Sequence, residues 1–166
     1  MNKCYDLHID SNSINAKGGM PAMNQIYKWA KDDRVCITYD DAGMEEQPDG
    51  NIQWQELNKH FSQNRTRENP QYKANFEIIR DILFPEFKGV FKPAMAIGKI
   101  LNKAQRKAFM DILHLCGYKQ GMGDYFLTND THFLNKKAKL EHAGIRNVIT
   151  PEDCVKALSL DKALTV

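Results

Sequence analysis

The sequence predicts an α/β protein: a three-layer α/β/α sandwich around a mostly parallel central sheet, plus a helical insert. Three observations predict it. Apolar runs of strand length alternate with longer stretches at helical spacing, the order that builds a parallel sheet covered on both faces. Most of these runs are bounded by capping or turn residues. No internal repeat, Gly-rich phosphate loop or low-complexity linker breaks the order, so residues 1–166 read as a single domain with the insert at roughly 47–71.

The elements follow in order. "CYDLHID" is a strand from Tyr5 to Ile9 that ends on Asp10, although Asp6 and His8 make it less apolar than a fully buried strand. "MPAMNQIYKWAKDD" is a helix, with Met23, Ile26, Tyr27 and Ala30 on one face and Pro21 in its first turn. "RVCITY" is the second strand, and a short helical stretch through "DDAGMEE" follows it. "QPDG" is a turn, "NIQWQELNKHFSQ" a helix carrying Ile52, Leu57 and Phe61, and "NRTRENP" a loop. "YKANFEIIRDILF" is a helix ended by Pro85, while the stretch from Pro85 to Gly98 carries no clear pattern. Asn102 suits the N-cap of a helix from about Lys103 to Tyr118. "YFLT" is the third strand, "HFLNKKAKLEHAG" a helix closed by Gly144, and "NVIT" the fourth strand. Thr150 and Pro151 fit the N-cap and first position of a last helix, "PEDCVKAL".

A chain of 166 residues is long enough to bury a sizeable core. No apolar run approaches bilayer length, and the first residues lack the apolar region of a secretory signal, so a cytoplasmic protein without membrane partners is expected. Cys4, Cys36, Cys116 and Cys154 are far apart in sequence and read as small apolar residues of a reducing compartment, not as zinc ligands or disulfides. The net charge of +2 neither requires nor excludes a nucleic-acid partner. Basic clusters at Arg65, Arg67 and Lys73, at Lys103, Arg106 and Lys107, and at Lys136, Lys137 and Lys139 read as solvated faces.

The chemistry-bearing residues are acids. Asp10 and Asp130 each follow a predicted strand, which puts both at one edge of the sheet, where α/β proteins bind ligands. Asp111 falls on the flank of a helical apolar stripe, with Ile112 and Leu115 near its centre, and nothing nearby in sequence explains a carboxylate there. Glu45 and Glu46 follow the second strand closely enough for one of them to reach the same edge. Four carboxylates brought together repel, and a hard divalent cation removes the repulsion. Oxygen donors without a Cys or His set favour Mg²⁺ or Mn²⁺, and phosphodiester hydrolysis is the chemistry that suits such a site.

Several residues have plainer readings. Asp10 suits an Asx turn with Ser11 and Asn12, and Asp130 suits the N-cap of the helix that follows it. Asp124, in the tight "GMGD" turn, reads as structural, and His114 as a packing residue despite lying three positions after Asp111. Tyr27, Trp29 and Trp54 read as core residues before they read as base-stacking platforms.

"HIDSNSIN" resembles the opening signature of PIN domains, and "DILHL" with "GDYFLTNDTHFL" resembles their later one, a helix-borne Asp before a strand ending in Thr-x-Asp. "GIRNVITPEDCV" resembles the usual finish, a last strand and a capped helix. The resemblance covers both ends of the chain and little of the middle. It implies a metal-dependent endoribonuclease that cleaves RNA. By position, Asp10, Glu45 (or Glu46), Asp111 and Asp130 match the family's metal-holding catalytic acids, and Asn12 and Thr128 match its supporting polar positions. A free-standing domain of this kind is also similar to the toxins of toxin–antitoxin pairs (VapC-like). For those, an antitoxin protein and a second copy of the chain are the expected partners. The alternative is a non-catalytic PIN-like module that binds RNA or protein. A haloacid-dehalogenase-like phosphatase would need an aspartate where this chain has Asn12.

Overall fold

In the computed structural model, which describes residues 4–10, 19–40, 61–64, 66–96 and 102–160, every strand pairing is parallel. The strands are β1 (Tyr5–Ile9), β2 (Val35–Asp40), β3 (Phe61–Asn64), β4 (Tyr125–Leu127) and β5 (Val148–Ile149). Their order across the sheet is β3-β2-β1-β4-β5. The chain therefore winds outward from β1 in one direction, then returns to β1's other side and winds the opposite way. β1 is central, with Leu7 opposite Ile37 on one side and Tyr125 on the other. Such a reversal opens a crevice at the carboxyl ends of the two strands that flank it, here β1 and β4.

Helices cover both faces. α1 (Pro21–Lys31) and α6 (Pro151–Ser159) pack together over one of them. There Met23, Ile26, Trp29, Cys154 and Leu158 bury the odd-numbered face of β1, Leu7 and Ile9, together with Ile37 and Leu127. α2 (Tyr72–Leu83) and α3 (Lys103–Gly121) cover the other, packing Phe76, Ile79, Phe109, Ile112 and Leu115 around Phe126 and Val148. Alternation along β1 thus separates two cores. It also accounts for the polar residues of this strand. His8 is buried but stacks on Phe126, ring centroids 5.7 Å apart, and meets the edge of Tyr118 at 5.9 Å. Asp6 is half-buried and accepts a hydrogen bond from Thr38 Oγ1 at 2.5 Å.

Local signals in the sequence account for most helix ends. Met23, Ile26, Tyr27 and Ala30 are all buried in α1, as their spacing predicts. Asn102 caps α3 through a reciprocal pair: its Oδ1 accepts from the Gln105 N–H at 2.9 Å, and its own N–H donates to Gln105 Oε1 at 3.3 Å. Asn102→Ala is therefore expected to lower stability by about 1 kcal/mol in a denaturant melt, and Asn102→Asp to restore most of it. α6 opens as expected, with Thr150 Oγ1 accepting from the Asp153 N–H at 3.1 Å.

Four expectations are corrected. Phe61–Asn64, expected to close a helix, is instead the edge strand β3, paired in register with Ile37–Asp40. The described tail of the insert therefore completes the sheet, and residues 41–60 and 65 lie outside the described set, among them Trp54 and all of "DDAGMEE" after its first residue. The single helix expected before Gly144 is two, α4 (Thr131–Asn135) and α5 (Lys137–His142). They part where the Lys136 N–H turns back to the Phe133 carbonyl at 3.0 Å, a tighter closure than an α-helix makes. α3 shows no narrow stripe, because residues 108–118 are buried all round it. The cysteines divide: Cys116 and Cys154 are buried as expected, but Cys4 and Cys36 are exposed with their sulfurs 2.8 Å apart.

The patternless stretch after Pro85 has a clear role. It folds back over α3 and inserts Phe91, fully buried, against Phe87 at 4.6 Å and Phe109 at 5.5 Å. The buried Arg80 guanidinium holds it there by donating to the Phe91 carbonyl at 3.1 Å. At the far end of α3, Met122 takes a left-handed φ of 51° and Gly123 passes so close to Tyr118 that a Cβ would stand 3.0 Å from its ring. Asp124 then accepts from the Asp6 N–H at 2.9 Å and donates its own N–H to the Asp6 carbonyl at 2.8 Å, the structural role its turn predicts. Among the described residues, no helix is long and apolar enough to cross a membrane.

Candidate functional site at the carboxyl ends of β1 and β4

β1 and β4 deliver their last residues to the crevice side by side. The Asp10 N–H donates to the Leu127 carbonyl at 3.2 Å and the Thr128 N–H to the Ile149 carbonyl at 3.0 Å, extending the ladders by one step. Those two bonds fix Asp10 beside Thr128. The Thr128 hydroxyl donates to Asp10 Oδ2 at 2.5 Å and accepts from the Asp130 N–H at 3.0 Å. Thr128 is fully buried and Asp10 is 3% exposed, so the carboxylate is withdrawn from water and held by a donor that is itself fixed.

Asp130 has two functions at once. Its Oδ1 accepts from the His132 N–H at 2.8 Å, which caps α4 as the plainer reading of the sequence expected. Its Oδ2 accepts from Lys107 Nζ at 2.7 Å. Lys107 also reaches Asp111 Oδ2, at 3.4 Å and one helical turn along α3. A single ammonium therefore joins the helix-borne acid to the strand-end acid. Contrary to the sequence reading, the carboxylate of Asp111 has an explanation four residues earlier in the chain.

The electrostatics follow this geometry. Burial raises the Asp130 carboxyl, but the hydrogen bonds from Lys107 and from the His132 N–H outweigh it and hold the group below 3.8. Burial likewise lowers the Lys107 ammonium, while its bond to Asp130 and the charge of Asp111 outweigh that and hold it above 10.5. On the other side of the sheet, burial followed by the charge of Asp10 pushes the Tyr27 phenol up. Tyr27 is thus a core residue, with burial the larger of the two causes.

A pH dependence of stability follows from these directions. Asp130 is depressed on folding, so its contribution is complete above 3.8 and is lost as the pH falls through the depressed value. Lys107 is raised, so its contribution is complete below 10.5 and is lost as the pH rises through the raised value. Lys107→Met is expected to shrink both losses without abolishing either, because the Tyr27 phenol, raised by burial, still costs stability at alkaline pH and the His132 N–H still favours ionised Asp130. Denaturant midpoints of both proteins across the two limbs check this, and parallel profiles would contradict it.

Of the acids expected to share a cation, Asp10, Asp111 and Asp130 meet in one network through Thr128 and Lys107. Glu45, its alternative Glu46, and Asn12 lie outside the described residues. Among the described residues, no three Asp, Glu, His or Cys side chains are gathered closely enough, as arranged, to hold a metal ion. Lys107 spans two of the acids and Thr128 holds the third. His114 is buried in α3, in keeping with a packing role. Lys107 is the participant the sequence reading missed. Its place beside Lys103 and Arg106 makes it look like part of a solvated cluster, while its four-residue spacing from Asp111 is the signal that sets it apart. No family model, curated protein or solved structure matches the chain.

Proposed function

We infer that the chain is a PIN-like, metal-dependent endoribonuclease whose site is the Asp10–Asp111–Asp130 crevice, with Glu45 as its fourth acid. The observation that supports this reading best is the joining of all three described acids at the switch point of a 3-2-1-4-5 parallel sheet, the place where sheets of this kind bind ligands. An all-oxygen donor set suits Mg²⁺ or Mn²⁺. Asp111 and Asp130 would hold the ion once Lys107 swings aside, and Asp10 would complete the set. Bound there, such an ion supplies an activated water and charge stabilisation of the departing oxygen.

The chain's own residues do the rest. Thr128 fixes the orientation of Asp10 and of the Asp130 backbone. Lys107 is half-exposed and tethered only through its terminal nitrogen to these acids, so its charge can transfer from the carboxylates to an incoming phosphate. Exposed Arg67 and Lys73 line a cleft with Tyr72, Pro93 and Ala94 just past the carboxyl end of β3, a second place for backbone phosphates. Toxin activity, with an antitoxin and a second copy of the chain as partners, is one setting for such a nuclease.

One observation favours the alternative, a non-catalytic module that binds RNA or protein: Lys107 already offsets one of the two negative charges of Asp111 and Asp130 without a metal. Mn²⁺ titration calorimetry, paired with cleavage of a mixed pool of structured and single-stranded RNAs with and without chelator, separates the two. The nuclease binds Mn²⁺ and cleaves in its presence only. Failure of both measurements would replace it with the module.

A further inference from the structure

At the opposite end of β1 from the carboxylates, two thiols stand in an ordered pair. The strand register sets Asp6 opposite Cys36 and His8 opposite Thr38. Alternate residues share a face, so Cys4 and Asp6 project from β1 on the side from which Cys36 and Thr38 project from β2. Two contacts bridge the strands there with the same offset: Cys4 Sγ to Cys36 Sγ at 2.8 Å, and Thr38 Oγ1 to Asp6 Oδ1 at 2.5 Å. The thiol pair is therefore one rung of a regular side-chain ladder on a hydrogen-bonded strand pair. Both cysteines are exposed, unlike Cys116 and Cys154.

We propose that Cys4 and Cys36 are a dithiol redox site, closing to an intramolecular disulfide by exchange with a small-molecule disulfide. One thiolate attacks a sulfur of the small disulfide, releasing one small thiolate and leaving a mixed disulfide. The second cysteine, deprotonated, attacks the protein sulfur of that mixed disulfide and expels the other small thiolate, which is protonated in turn. The two cysteines lose two electrons and two protons, and the small disulfide gains them as two thiols. A bond of about 2.05 Å asks the sulfurs to approach by roughly 0.8 Å from their 2.8 Å separation. Partial desolvation of the sulfur at the otherwise exposed Cys4, then the hydrogen bond with Cys36, pushes its thiol up to about 12, so closure is slower than exchange at an ordinary thiol. The site lies about 20 Å along β1 from Asp10, taking 3.3 Å per residue, so its oxidation is read without reference to any nuclease activity.

The test is titration of the native, full-length chain with oxidised glutathione, followed by intact mass, non-reducing peptide mapping and thermal melts. The expected product has lost two hydrogens and carries a Cys4–Cys36 linked peptide. Its Tm is higher by about 10 °C, because the bond closes a loop of thirty-odd residues in the unfolded chain. Dithiothreitol reverses each change. Cys36→Ser is expected to accept a single glutathione at Cys4 and show no rise in Tm. Stable glutathione adducts on wild type without the linked peptide would overturn the proposal. So would a bond to Cys116 or Cys154, a disulfide between two copies, or no reaction.

Discussion

Asp10→Asn is expected to reduce Mn²⁺-dependent RNA cleavage by at least about a hundredfold while leaving the melting curve close to wild type. The substitution keeps an oxygen that can accept from the Thr128 hydroxyl, the contact that fixes the end of β1 against β4. It removes the charge and replaces the other oxygen by an NH2 group that donates instead of accepting. At 3% exposure that charge is poorly screened, so it contributes more to holding a cation than a surface carboxylate would. Asp10→Ala is a poorer test, because it also strands the buried Thr128 hydroxyl, at about 1–3 kcal/mol. Single-turnover cleavage beside circular dichroism reads both properties. Wild-type cleavage by Asp10→Asn would remove this residue from the chemistry.

The second large effect is on stability. Phe126→Ala is expected to lower the unfolding free energy by about 3–5 kcal/mol, a substantial part of what a domain this size possesses. Phe126 is fully buried on β4, and its ring contacts three partners from three elements: His8 at 5.7 Å, Tyr118 at 5.5 Å and Phe133 at 5.5 Å. Because those partners are themselves anchored, they cannot close around the vacated space, and the cavity term adds to the lost burial. A urea melt should show a lower midpoint with an unchanged slope. A loss under 1 kcal/mol would mean that α3 and α4 collapse onto the sheet.

What the sequence revealed and what it hid have physical causes. Helix ends were legible where a local device makes them, as at Asn102, Thr150 and Pro21, since each operates within four residues. β3 was hidden because "FSQN" offers one apolar residue and three polar ones. Its extended form comes from pairing with β2 and not from a pattern of its own. The covering of α3 on all sides was hidden for a related reason: Phe91 and its neighbours come from a stretch with no periodicity. Within the site, Asp10, Thr128 and Asp130 were legible because strand ends determine where they emerge. Lys107 was obscured by sitting among Lys103 and Arg106, where one paired cation looks like its solvated neighbours.

The winding of the sheet has a temporal consequence. β1 enters the chain first among the strands, yet one of its two edges is satisfied only by β4, and Asp10 meets Thr128 across 118 residues. On a chain emerging from its amino end, β1 and β2 are synthesised long before that partner exists, and the open edge of β1 must wait with no ladder. Contacts of such long range close late and slowly in parallel sheets. The crevice with its three acids is therefore among the last parts of the molecule to form, and a partly made chain does not possess it.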